Sequence, residues 1–300
     1  VWSAFVDVIQ AAVLGLVEGI TEFLPVSSTG HLILAAHALG LDDPKEKAAV
    51  DAFNIVIQGG AILAVATLYW PRVRRMLLGV IGKDNGGFDL LLKLSVAFLP
   101  AGVLGVVLSK FLKENLFFPG PVIGAVIVGG VFMLLLEQWR LGRFGIGERG
   151  LGQNGGKEIE DLSIPQCVFI GLMQCIAMWP GTSRSMMGIA GGLMVGLKPR
   201  AAAEFAFLLG LPTLGGATVY ELFKNVTGPA EENMFKQFST AAIAVGMLVS
   251  FVSALLAVKW LVGFLNKHGL AIFGWYRIVL GIALIAAMYL GWIAIGPAGK

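Results

Sequence analysis

Six apolar runs recur along this chain, near residues 52–70, 90–110, 120–139, 202–223, 239–264 and 271–294. Each is long enough to cross the roughly 30 Å hydrocarbon core of a bilayer as a helix. Inside hydrocarbon the backbone must satisfy its own N–H and C=O groups, and a helix does so within one segment. Composition agrees: 57% of the residues are hydrophobic, 14% are charged and 41 are glycines, with a mean hydropathy of +0.82. That profile belongs to closely packed membrane helices and excludes a soluble globule. The expected architecture is an all-α polytopic membrane protein, a single membrane domain over residues 1–300.

Two more apolar segments, about 4–40 and 164–197, are each interrupted by a proline and a polar cluster. The first lacks a basic flank and carries Glu18 and Glu22, so it reads as part of the working protein and not as a cleavable signal. The two segments echo each other. Gly15-Leu16-Val17-Glu18 leads to Pro25-Val26-Ser27-Ser28, and Gly171-Leu172-Met173-Gln174 leads to Pro180-Gly181-Thr182-Ser183, with one residue less between them. A weaker echo relates Lys110, Phe118 and the apolar run after them to Lys259, Phe273 and theirs. The chain therefore divides into repeat one, 1–140, a polar linker, 141–163, and repeat two, 164–295.

Loop charge sets the orientation. Arg72, Arg74, Arg75, Lys83 and Lys93 surround the loop after the first long run, and Arg140, Arg143, Arg149 and Lys157 fall in the linker. Lys198, Arg200, Lys259, Lys267 and Arg277 join that side, and the opposite side carries about half as many basic residues, which puts loop 71–93 and the linker in the cytoplasm. This holds when segments 4–40 and 164–197 each dip into the bilayer and return. Each repeat is then a re-entrant helical hairpin plus three transmembrane helices, and the two repeats have inverted topology.

The hairpin tips carry the chemistry. Pro25 and Pro180 cannot continue a helix, and backbone groups released at membrane depth are tolerated where they line a polar cavity. Small hydroxyl residues of N-cap type follow each proline, Ser27, Ser28 and Thr29 in one tip and Thr182, Ser183 and Ser185 in the other, before a new apolar helix begins. Two facing helix N-termini make an anion site. Arg184, in the second tip, adds a permanently charged fork suited to phosphate. Glu18 and Glu22 lie one helical turn apart, where an unneeded carboxylate costs roughly 3 kcal/mol. Such a pair opposes its own ionisation and calls for a shared proton or a divalent cation that bridges to phosphate oxygens. The simpler reading of these charges is a buried ion pair from Arg184 to Glu18 or Glu22. His31, three residues beyond Ser28, is placed to take its proton or to attack phosphorus itself.

These residues resemble a known family. Glu18-Gly19-Ile20-Thr21-Glu22-Phe23-Leu24-Pro25-Val26-Ser27-Ser28-Thr29-Gly30-His31 resembles the first signature of the undecaprenyl-diphosphate phosphatases, membrane enzymes linked to bacitracin resistance, and Pro180-Gly181-Thr182-Ser183-Arg184-Ser185 resembles the second. The likeness covers nearly the whole chain. It implies removal of the terminal phosphate of the C55 isoprenyl diphosphate carrier, with a divalent cation such as Mg or Ca, at the outer face of the bacterial cytoplasmic membrane. The carrier then returns to cell-wall synthesis. Carried over by position, Glu18 and Glu22 serve the metal, Ser28, His31 and Glu22 the attack, and Ser27, Thr29, Thr182, Ser183, Arg184 and Ser185 the phosphates. After Ser185 the family commonly continues with Gly and, two positions on, Thr, whereas this chain has Met186, Met187 and Gly188.

Other signals read more plainly. Gly145, Gly147 and Gly150 spell a nucleotide fingerprint but sit in a charged linker with no strand before them. Asp51, Asn54 and Gln58 form a polar stripe that either lines the cavity or bonds between helices. Arg200 and Glu204 read as a surface pair, Cys167 and Cys175 as packing residues too far apart to join, and Trp70, Trp139, Trp275 and Trp292 as interface anchors. The arginines at 72–75 suit anionic lipid headgroups, and nucleic acid is not indicated. A secondary transporter or flippase of a phosphate-bearing lipid shares this anatomy. The glutamate pair beside a Ser/His cluster favours hydrolysis, and the number of subunits, homodimer included, is left open.

Overall fold

The computed structural model describes residues 6–41, 47–116, 118–143, 156–227 and 238–291. Arg149, the glycines at 145, 147 and 150, and Trp292 lie outside them. The described chain is helical, with one isolated parallel bridge between Lys157 and Leu197. In order come α1 (Val8–Thr21), α2 (Ser28–Ala38), α3 (Lys47–Leu68), α4 (Trp70–Val80), α5 (Asn85–Leu116) and α6 (Pro119–Arg140). A 3-10 turn (Ile159–Asp161) precedes α7 (Ile164–Ile176), α8 (Arg184–Met194), α9 (Pro199–Thr227), α10 (Thr240–His268) and α11 (Ala271–Tyr289).

Local sequence explains the starts. Asp7 accepts from Gln10 N at 2.7 Å while the Gln10 side chain accepts from Asp7 N at 2.9 Å, a reciprocal cap for α1. Ser163 and Gln166 do the same for α7, and the Ser239 hydroxyl caps α10 by accepting from Ala242 N at 3.1 Å. Helices α3, α5, α6, α9, α10 and α11 are long and apolar enough to cross a membrane, and they coincide with the six apolar runs. The chain is a multi-pass membrane protein. Helices α5 and α9 extend beyond their runs because backbone hydrogen bonding continues through polar end turns that hydropathy does not count. Residues 71–80, expected as part of the loop 71–93, fall in α4. Pro71 sits in its first turn, where no N–H is required, and arginine is a good helix former.

Helices in lipid gain nothing from hiding apolar surface from one another, so close backbone approach does the packing. Helix α1 lies along α10 and α7 lies along α5. A Cβ on Gly15 would stand 2.4 Å from Gly246 O, and one on Gly171 would stand 2.4 Å from Ala97 O. Each echoing glycine thus seats a short helix against a long one from the other half of the chain. Helix α3 packs against α9 and α10, α8 against α9, and α6 against α11.

One end of the bundle is laced by ions. Arg72 on α4 pairs with Glu204 on α9 at 2.7 Å and with Glu160 at 2.5 Å, and its guanidinium holds the Glu160 carboxyl below the usual carboxylate range. Arg75 pairs with Asp84 at 2.9 Å and Lys198 with Glu158 at 2.6 Å. Glu204 therefore serves Arg72 and does not form the surface pair with Arg200 that spacing suggested. A larger correction concerns Arg277. Counted with the loop charges, it is in fact 0% exposed, six residues inside α11, with its guanidinium spent on backbone carbonyls. Cys167 and Cys175 are free thiols.

Candidate active site

Two chain breaks meet at the centre of the bundle. Between α1 and α2 the backbone turns at Pro25 and restarts at Ser27; between α7 and α8 it turns at Pro180 and restarts at Ser183. Ser27 (φ 72, ψ 97) and Ser183 (φ 76, ψ 117) are the non-glycine residues with positive φ among those described. A side chain held there costs on the order of 1–3 kcal/mol, a strain that surrounding contacts must sustain. Both serines cap the helix that follows: Ser27 Oγ accepts from Gly30 N at 3.4 Å, and Ser183 Oγ from Met186 N at 3.3 Å. The two breaks therefore share conformation as well as sequence, and each directs a helix N-terminus into the same region.

Glu22 links them. Its Oε2 accepts from the Ser28 hydroxyl at 2.7 Å, and its Oε1 accepts from Arg184 Nη2 at 2.9 Å. Glu22 is 5% exposed, whereas the Arg184 side chain is 36% exposed and faces an opening. Ser185 donates to Leu24 O at 2.9 Å, so its oxygen accepts from Ser183, 2.9 Å away. One side chain of the second break is thus hydrogen-bonded to the backbone of the first. A small cavity beside them is lined by Glu22, Gln174, Arg184, Ser185 and Thr213, with Phe23 and Phe207 as its apolar wall.

His31 is held by both ring nitrogens. Nδ1 lies 2.7 Å from Ser27 O, and a carbonyl only accepts, so Nδ1 carries the hydrogen. Nε2 then accepts from the Tyr276 hydroxyl at 2.6 Å, and the two rings stack within 4° of parallel. The Ser28 hydroxyl is accordingly bonded to Glu22 and not to His31. Thr29, half-buried in the first turn of α2, and Thr182, 6% exposed, make no side-chain hydrogen bond among the described residues.

Glu18 sits one turn behind Glu22 and is 1% exposed. Its Oε1 accepts from Gln58 Nε2 at 3.2 Å, which gives one member of the polar stripe on α3 a partner. Its Oε2 is buried with no partner. No group of three histidine, cysteine or acidic side chains comes together among the described residues. A cation that binds through one or two carboxylates and completes its shell with phosphate and water fits this donor set, and the orphaned Glu18 oxygen is where it would attach.

Sequence reasoning missed Tyr276 and Arg277. An arginine inside an apolar run was itself a signal, since ionisable groups at membrane depth mark function by default. Its nearness to the start of the run placed it with the loop charges instead. Met186 and Met187, where the chain departs from the expected pattern, are 0% and 6% exposed and pack into the core, while Gly188 lets α8 approach Ala206 and the Gln174 amide.

The sequence profile described as Bacitracin resistance protein BacA matches residues 11–283. The chain belongs to the BacA family. Among BacA-like relatives, an undecaprenyl-diphosphatase of Sorangium cellulosum is 44% identical over 276 residues, 92% of this chain and 85% of the relative. One from Polaromonas naphthalenivorans is 42% identical over 285 residues, covering 94% and 96%. Undecaprenyl-diphosphatase 2 of Rhodospirillum rubrum is 43% identical over 289 residues, covering 96% and 98%. The BacA match contains both breaks, Glu18, Glu22, Arg184 and the Tyr276-Arg277 pair.

Proposed function

We propose that this chain is a membrane undecaprenyl-diphosphate phosphatase, which hydrolyses the C55 carrier diphosphate to its monophosphate and inorganic phosphate and so returns the carrier to cell-wall synthesis. The observation that carries the mechanism is Glu22, a single carboxylate joined to a hydroxyl from one break and a guanidinium from the other. Hydrolysis needs a nucleophile, a base beside it and a cation for the phosphate, and these three groups supply them.

The substrate diphosphate enters between the helix N-termini of α2 and α8 and takes the Arg184 fork from Glu22. Released from that ion pair, Glu22 accepts the Ser28 proton. Ser28 Oγ then bonds to the terminal phosphorus, and the bond from that phosphorus to the bridging oxygen breaks. The bridging oxygen leaves with the lipid as undecaprenyl phosphate, and water attacks the phosphoserine to release inorganic phosphate. A divalent cation held by Glu18 and Glu22, when bound, neutralises charge on the diphosphate. Ser27, Ser183 and Ser185 fix the breaks, Thr29 lies in the first turn of α2 and Thr182 within the second break. His31 is the second candidate nucleophile, available once Tyr276 turns away from Nε2.

The broken segments are read as re-entrant hairpins of two inverted repeats, 1–140 and 164–295. Like conformations at Ser27 and Ser183, and the parallel seating of α1 on α10 and α7 on α5, support that reading. Loop charge places loop 71–93 and the linker in the cytoplasm, and the family resemblance implies a site open to the outer face of the cytoplasmic membrane. A lipid transporter would use the same breaks, but movement of an anion has no need of Glu22 against Ser28. Purified protein in detergent is expected to release phosphate from undecaprenyl diphosphate, and Ser28→Ala to lower that rate at least about a hundredfold. Absence of phosphate release from wild-type protein in the presence of Mg or Ca would overturn the proposal.

A further inference from the structure

Arg277 is wholly buried, and no carboxylate neutralises it among the described residues. Its charge is met by carbonyl oxygens alone: Nε donates to Val126 O at 3.1 Å, Nη2 to Ala125 O at 3.0 Å and Gly181 O at 2.7 Å, and Nη1 more weakly to Pro25 O at 3.5 Å. The first two carbonyls lie in α6. The other two lie in the two breaks, Pro25 three positions before Ser28 and Gly181 three before Arg184. Room for the guanidinium is built in. A Cβ on Gly129 would stand 2.4 Å from Nη2, and one on Gly130 would stand 3.1 Å from Arg277 Cβ.

A permanent charge at membrane depth is costly, and packing alone would be served better by an apolar side chain of similar volume. Two properties set the guanidinium apart. Its planar fork reaches several carbonyls at fixed angles, which a lysine ammonium does not. Its charge, unpaired by any acid among the described residues, adds to the positive ends of α2 and α8, which point at the same region. We propose that Arg277 is a positioning residue for the phosphate site: it holds the two breaks in register and lends them uncancelled positive charge without touching substrate. Tyr276, its neighbour on α11, extends the same arrangement to His31 through the 2.6 Å hydrogen bond. The inference rests on the phosphatase reading, and binding of inorganic pyrophosphate tests it apart from turnover.

The two properties separate by substitution. Arg277→Met removes charge and fork at similar volume, and is expected to raise both KM for the lipid diphosphate and Kd for inorganic pyrophosphate at least about tenfold. Arg277→Lys keeps the charge and loses the fork; its KM is expected within about threefold of wild type, while kcat falls at least about tenfold because the breaks lose register. Protein that is merely less folded would lose apparent kcat in proportion to the folded fraction and keep KM and Kd. That pattern in both variants would overturn the proposal, as would wild-type kinetics in folded Arg277→Met. If Arg277→Met does not fold, Gly129→Ala displaces the fork from inside the slot with Arg277 present. A lower kcat is expected there, and unchanged kinetics overturns the register role. Wild-type protein whose pyrophosphate affinity falls in Arg277→Met, yet which releases no phosphate from lipid, would sink the function and leave this inference standing.

Discussion

Glu22 faces two demands at once, since the carboxylate that pairs with Arg184 is also the nearest base to Ser28. Substrate resolves the conflict by taking the arginine away. Glu22→Gln keeps the shape but accepts no proton, so turnover is expected to fall at least about a hundredfold and the remainder to lose its dependence on metal. A titration of phosphate release against Mg or Ca checks this, and substantial metal-independent activity contradicts it. Arg184→Lys keeps the charge without the fork and is expected to raise KM for the diphosphate. If the three charges formed only a structural ion pair, that variant would be mild. Tyr276→Phe keeps the ring stack on His31 and removes one hydrogen bond worth about 0.5–1.5 kcal/mol of stability, so a slightly lower thermal midpoint is expected, with kcat within about threefold of wild type if Ser28 attacks.

At the scale of elements, glycine positions decide which helices can touch. Gly15 on α1 meets the Gly246 carbonyl, and backbone cannot step aside, so Gly15→Ala is expected to cost about 1–3 kcal/mol through overpacking. Gly216 on α9 has nothing within 4 Å of a Cβ, and Gly216→Ala is expected to be neutral or to stabilise by up to about 1 kcal/mol through helix propensity. Thermal unfolding of the two variants in one detergent separates them; equal effects would contradict the packing described. The ion lacing on α4 gives a pH dependence. Arg72 depresses the Glu160 carboxyl below its ordinary value of about 4.5, so the stabilising contact is complete above that pH and is lost as pH falls through the lowered value. Hydrogen-exchange protection around 157–163, taken relative to the intrinsic rate at each pH, should fall only in that acid range, and in Arg72→Gln it should be low at neutral pH as well.

For the whole molecule, the apolar runs and two proline breaks were legible in the sequence because both follow from backbone chemistry that any bilayer imposes. That Arg184 meets one of the two glutamates was legible because each break carried a hydroxyl run and one of them an arginine; that Ser28 bonds to Glu22 and not to His31 was not, since sequence spacing put His31 nearest to Ser28. Helix α4 was not, since an amphipathic helix lying outside the spans looks like a charged loop to hydropathy. Arg277 was hidden for a different reason: its partners are carbonyls of distant segments, which leave no trace in residue type. The same limit applies to Tyr276, whose partner lies 245 positions away. Orientation remains a matter of charge counting, and it too can be measured. In a background with Cys167 and Cys175 replaced, a cysteine at Lys83 is expected to resist impermeant thiol reagents in intact cells, while one at Ala230 reacts; the reverse would overturn the assignment.

The central claim is that one carboxylate readies the Ser28 hydroxyl for attack on a phosphate held by the other break. Rapid quenching of purified protein with undecaprenyl diphosphate, followed by mass spectrometry of the peptide containing residues 22–31, tests it most directly. A phosphate on Ser28 in wild-type protein, absent from Glu22→Gln, is the predicted result; a phosphate on His31 instead, or full adduct formation in Glu22→Gln, would contradict the account.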